Sequence, residues 1–130
     1  MQPKPSKRPK PTDGELEILS VLWDRGPSTV RELHEVLENS RAMGRTTVLK
    51  LVQIMTDKGL VQRDDSARPS VFSASSGREE TQGRLVDDLL SKAFNGSAES
   101  LVLHVLSGKK ATPDELDAIR ALLEKMKESQ

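Results

Sequence analysis

Residues 44–61 read Gly-Arg-Thr-Thr-Val-Leu-Lys-Leu-Val-Gln-Ile-Met-Thr-Asp-Lys-Gly-Leu-Val, and this stretch restricts the fold more than any other. Val48, Leu51, Val52 and Met55 recur at i, i+3, i+4 and i+7, the spacing of a core-facing helical stripe. The opposite side carries Arg45, Thr46, Lys50 and Gln53, donors suited to phosphate oxygens and base edges. Gly59 closes the helix, and a short β-like run follows at once. One side of this helix must therefore be covered by the rest of the chain. The other is free to meet a partner.

The neighbouring elements can be read from their punctuation. Thr12-Asp13-Gly14-Glu15 is a capping box that opens a first helix, in which Leu16, Leu19, Leu22 and Trp23 line one face. Trp23, the single tryptophan, reads as a core anchor. Arg25-Gly26-Pro27 breaks the chain, and Ser28 and Thr29 start a second helix, with Thr29 and Glu32 forming a second capping box. Val30, Leu33 and Leu37 face inward, and Asn39 to Gly44 form the turn into the third helix. After Gly59, residues 60–63 and 70–74 alternate as two short strands around the turn residues Asp64 to Pro69. Arg63 and Arg68 sit where such a hairpin reaches a DNA backbone.

The second half is helical in pattern. Ser76 to Glu79 start a fourth helix bearing Leu85, Val86, Leu89, Leu90 and Ala93, and Asn95-Gly96 stops it. Leu101, Val102, Leu103, Val105 and Leu106 make the fifth apolar almost all round. Thr112-Pro113-Asp114-Glu115 opens a sixth, with Pro at its first position and a stripe of Leu116, Ile119, Leu123 and Met126. Three short helices with such broad apolar faces need either the first module or a second copy of the chain to cover them, and a second copy is favoured. The reading is therefore mainly α with a small β wing. A winged helix-turn-helix head over 12–75 precedes a C-terminal helical dimerisation domain over 76–130.

Residues 1–11, with Lys4, Lys7, Arg8 and Lys10 and no acid, are expected to be a disordered basic arm. Net charge is zero, but residues 1–74 balance at +2 and the remainder at −2. Within 41–68 there are 6 basic residues against 3 acidic ones, so positive charge gathers at the third helix and hairpin. Aromatic content is 2%, so the core must be aliphatic. No apolar run reaches the roughly 18–20 residues of a membrane span, the N-terminus lacks a signal-peptide core, and cytoplasmic location is the expectation. With no Cys there is neither a disulfide framework nor a thiolate metal site.

An enzyme reading fails on inventory. His34 and His104, the two histidines, both lie within helical apolar patterns, and the pairs Asp64-Asp65 and Asp87-Asp88 point their side chains apart. No cofactor and no metal are expected. The competing reading is a winged-helix module for protein–protein assembly, whose third helix would present a merely solvated face. A small-molecule-sensing repressor is a further alternative, for which the chain offers few aromatic or polar groups to line a pocket.

Taken in order, Glu15 to Trp23, Thr29 to Leu37, Thr46-Thr47-Val48 with Lys58-Gly59-Leu60-Val61, Phe72, Phe94-Asn95-Gly96 and Ser100 to Leu103 resemble the penicillinase-repressor family of bacterial transcription regulators, the BlaI/MecI/CopY group. The resemblance spans about residues 12–128. It implies a sequence-specific, DNA-binding transcriptional repressor, a homodimer on a palindromic operator with one recognition helix per major groove. Its contacts would come from Arg45, Thr46, Thr47, Lys50, Gln53, Arg63 and Arg68. Its dimer face would use Leu85, Leu89, Phe94, Leu101, Val102, Val105, Leu106, Leu116, Ile119 and Leu123. In several members a membrane-bound sensor protease relieves repression by cutting in the fifth helix, at a place matching His104-Val105. Members with known cleavage carry Asn-Phe there. Many members also have Thr in place of Lys50 and Arg in place of Ile54, and the copper-responsive branch carries a C-terminal cysteine cluster that this chain lacks.

Overall fold

The computed structural model describes residues 10–41 and 43–129, so most of the basic arm expected over 1–11 lies outside the described residues. Six helices and one hairpin follow in order: α1 (Asp13–Arg25), α2 (Val30–Arg41), α3 (Arg45–Lys58), β1 (Val61–Asp64), β2 (Val71–Ala74), α4 (Arg78–Ala93), α5 (Ala98–Ser107) and α6 (Pro113–Ser129). The chain is mainly α with one small two-stranded antiparallel sheet. It divides into two compact units, and the division falls within α4 between Leu85 and Val86.

In the first unit α1, α2 and α3 pack on one another, while α3 packs on β1 and α1 on β2. Ile18, Leu19, Val21 and Leu22 of α1, Leu33 and Leu37 of α2, and Val48, Val52 and Met55 of α3 form one core with Leu60, Val61 and Phe72. The expected inward face of α1 is thereby shifted. Ile18 is fully buried, whereas Leu16 and Trp23 only flank the core. The cause is that α1 packs against α2, α3 and β2, and the stripe 15, 18, 19, 22 begins with a charged residue that hides its apolar period. Trp23 sits at the edge of the core, its indole N–H donating to the Ser76 carbonyl at 2.9 Å and its ring 5.7 Å from the Arg78 guanidinium.

Both expected capping boxes of the head are present. Glu15 N–H donates to Thr12 Oγ1, and Thr12 N–H donates back to Glu15. Thr29 and Glu32 repeat the exchange at α2. The turn between α2 and α3 is shorter than the sequence suggested. Asn39, Ser40 and Arg41 continue α2, with Asn39 and Ser40 side chains donating to carbonyls four residues back, so residues 42–44 alone connect the helices.

Two glycines shape the seat of α3. Gly59 adopts φ 82°, the left-handed conformation that a side chain disfavours, and its N–H reaches the last turn of α3. Gly14 lets α1 approach α3 so closely that a Cβ there would stand 3.2 Å from Leu51 Cδ1. The hairpin pairs Val61 with Ala74 and Arg63 with Phe72. Ser28, expected as a helix start, is instead fully buried and exchanges two backbone hydrogen bonds with Phe72, at 3.0 and 2.8 Å. The chain two residues ahead of α2 is thus fastened to the wing.

In the second unit, Asn95 and Gly96 take positive φ to turn the chain out of α4, as the Asn-Gly pair anticipated. Ser97 caps α5, and Thr112 with Glu115 forms the capping box of α6, whose first residue is Pro113. Neither α5 nor α6 has a buried residue.

Candidate nucleic-acid interface

The two faces of α3 differ as sharply as the periodicity required. Val48, Val52 and Met55 have no exposed surface, while Arg45, Thr46, Thr47, Lys50 and Gln53 are all exposed. Its N-terminus is also distinctive. Gly44 supplies no side-chain cap and the first turn holds no acid, although α1 and α2 each begin with a capping box. Uncapped backbone N–H groups with the positive end of the helix dipole favour an anion there.

Along one edge of α3 runs an open groove of about 680 Å³. Arg45, Leu49, Gln53 and Asp57 form one wall, Thr29 and Arg31 at the start of α2 a second, and Arg63, Pro69 and Phe72 of the hairpin a third. The register explains the place of Arg63. It lies opposite Phe72, whose ring is buried, so its side chain leaves the sheet on the same side and extends past the core into the groove. Three arginines and one aspartate line the groove; Arg31 is paired with Glu35 at 3.4 Å and Arg63 with Asp65, so Arg45 is the lining cation that engages no carboxylate among the described residues.

The basic residues counted in 41–68 turn out to be unequal. Lys58 faces inward and bonds to the buried Glu15 carboxylate at 2.8 Å, so it is structural. Arg63 is held by Asp65 at 2.7 Å. Arg45, Lys50 and Arg68 engage no carboxylate among the described residues. The wing turn is organised by its two acids. Asp64 accepts from the Ser66 hydroxyl and N–H, and Asp65 from the Ser70 hydroxyl and Arg63. These bonds favour the ionised forms, and both carboxyls lie below their ordinary value of 3.8, chiefly through Ser66 and Ser70 respectively.

Arg31, Leu49 and Thr29 were missed as lining residues. Leu49 could have been found, because it lies four residues from both Arg45 and Gln53 and so shares their helical face. Arg31 and Thr29 could not, since their place depends on the bridge between Ser28 and Phe72.

The residues expected to dimerise the chain occupy α4, α5 and α6. Leu89, Val102, Val105, Leu116 and Leu123 are exposed, while Leu85, Phe94, Leu101, Leu106 and Ile119 are half-buried. Leu103, Leu122 and Met126, each more than half exposed, enlarge that apolar surface. His104 Nδ1 lies 2.9 Å from the Ser100 carbonyl, and its ring meets Phe94 edge-on at 5.3 Å. His34 lies 3.8 Å from Glu38. No group of residues that could hold a metal ion is found among the described residues, and none of their helices is long and apolar enough to cross a membrane.

Comparison with known proteins follows the same outline. The family model described as Penicillinase repressor matches residues 11–125. A transcriptional regulator BlaI of Mycobacterium tuberculosis is 33% identical over 114 residues, covering 85% of this chain and 81% of that protein. A penicillinase repressor of Bacillus licheniformis is 22% identical over 121 residues, 93% of this chain and 94% of the relative. The methicillin resistance regulatory protein MecI of Mammaliicoccus sciuri is 18% identical over 114 residues, 88% and 93% of the two chains.

Proposed function

The chain belongs to the penicillinase-repressor family of transcriptional repressors, and we propose that it acts as a homodimer in which each head places α3 in the major groove of a palindromic operator. The observation that carries this reading is the outer surface of α3. Arg45, Thr46, Thr47, Lys50 and Gln53 lie exposed around an uncapped, acid-free N-terminus, beside a groove lined by three arginines. Thr46, Lys50 and Gln53 then address base edges. Arg45 and the α3 N-terminus take phosphates, and Arg63 and Arg68 extend the phosphate contact through the wing.

Dimerisation through α4, α5 and α6 is supported by their unburied apolar side chains, including Val102 at 44%, Leu103 at 54% and Leu123 at 55% exposure. A lone copy would leave this surface in water, which a second copy removes by symmetry. Two joined heads also match two half-sites about one helical turn apart. Release by a sensor protease at His104-Val105 is the finer part of the proposal. Both residues lie within α5, so a turn of that helix must open before the bond reaches a protease active site.

The test is quantitative binding to duplexes selected by the full chain from a randomised pool. Lys50→Ala should weaken selected duplexes by about 1–3 kcal/mol per head if Lys50 reads a base. An affinity unchanged for every duplex would remove α3 from the interface. It would favour the assembly-module reading instead.

A further inference from the structure

Leu49 is an apolar side chain on the donor-rich side of α3. It is 44% exposed and takes no part in the buried core or in the partly buried shell around it. It stands one turn from Arg45 and one turn from Gln53, and all three line the groove between α3, the start of α2 and the wing. Ile54, the other exposed apolar residue of α3, lies about 140° away around the helix at 100° per residue and does not line it. Leu49 is therefore the aliphatic side chain of α3 that stands within the row from Arg45 to Gln53.

We propose that Leu49 reads thymine, packing its isobutyl group against the 5-methyl of a T·A pair while Gln53 engages a neighbouring base edge and Arg45 the bordering phosphate. This rests on the reading of α3 as the DNA-facing helix and extends it to specificity. The chemistry leaves one match. Base edges in the major groove present hydrogen-bonding donors and acceptors throughout, and the thymine methyl is their apolar feature. The geometry fits a short run of bases. Residues four apart on a helix are separated by about 6 Å along its axis. The row from Arg45 to Gln53 therefore covers about 12 Å, or three to four base pairs at a 3.4 Å rise. Arg45 and the uncapped, acid-free N-terminus of α3 draw the helix edge carrying Leu49 toward the phosphates that border those bases.

The probes are the duplexes that the full chain selects from a randomised pool, resynthesised with deoxyuridine replacing one thymidine at a time. Uracil keeps every hydrogen-bonding group of thymine and lacks the methyl, so this test needs no altered protein. At one position per half-site the replacement should weaken wild-type binding about fourfold, the effect of losing one buried methyl group. Leu49→Ala, at a half-exposed position outside the core, should fold as wild type does, bind the thymine and uracil duplexes equally, and lose that fourfold preference. Leu49→Met should keep it.

Selected duplexes with no fixed T·A pair, or wild-type binding unaffected by uracil at every position, overturn the assignment of Leu49 while leaving α3 as the DNA contact. So does a thymine preference that survives in Leu49→Ala. If the full chain selects no sequence at all, the reading of α3 itself fails and the assignment falls with it.

Discussion

Glu15 joins two jobs that are usually separate. Its Oε1 accepts from Thr12 N–H at 3.0 Å, capping α1, and from Lys58 Nζ at 2.8 Å, holding the last turn of α3. The carboxylate is 2% exposed and the Lys58 side chain 25%. Removing it with Glu15→Ala leaves an unmet cap donor, about 1 kcal/mol, and strands the partly buried Lys58 ammonium. Loss of one partner from a fully buried pair costs about 3–5 kcal/mol, and the partial exposure of Lys58 brings this down to about 2. The sum is about 3 kcal/mol, or a fall of roughly 12–24 °C in the midpoint of a head of this size. Glu15→Gln keeps the shape and the cap acceptor and exchanges a charged bond for a neutral one, so it should cost about 1 kcal/mol. Thermal unfolding followed by circular dichroism measures both. A double-mutant cycle with Lys58→Met isolates the pair, and its coupling should exceed 1 kcal/mol. An alanine variant that melts within a few degrees of wild type, or a coupling near zero, would refute the view that this contact seats α3.

Arg68→Ala should weaken binding to all duplexes alike and flatten the slope of log affinity against log salt by about one per head, measured by anisotropy titration across a salt series. The wing turn should withstand acid well. Asp64 and Asp65 are held below 3.8 in the folded wing, so their contribution is full above that value and fades as pH falls through the lowered one. The Ser66 amide resonance should accordingly titrate below pH 3.8, and a midpoint above it would contradict the assigned hydrogen bonds. Val102→Glu with Val105→Glu, both at exposed sites, should turn a sedimenting dimer into a folded monomer and lower operator affinity steeply, with the melting of the head unchanged.

The fold was legible wherever local chemistry fixed it. Capping boxes at Thr12 and Thr29, the start of α6 at Thr112-Pro113, the stripe of Val48, Val52 and Met55, and the stop at Gly59 all depend on neighbours within a turn or two of the chain. What escaped depended on distant partners. Glu15 reads as a cap residue and is that, but its burial follows from Lys58, which lies 43 residues away. Lys58 reads as one more positive charge for DNA and is spent inside the head instead. Ser28 reads as a helix start, and its bridge to Phe72 joins positions that are distant in the chain and meet only once the head is assembled. The donors of α3 could be named from periodicity, whereas the groove beside them needed three elements assembled first.

The central claim is that the outer face of α3, carried by a dimer, reads the operator. Its most direct test is an anisotropy titration of one selected duplex with wild type and with a Thr46→Ala, Lys50→Ala, Gln53→Ala triple variant. All three side chains are exposed, so the variant should keep its melting temperature and its dimeric state. The triple variant should lose more than a hundredfold in specific affinity, about 3 kcal/mol or more, and fall back to weak, salt-sensitive binding of any DNA. Equal affinity of the two proteins for the selected duplex would contradict it.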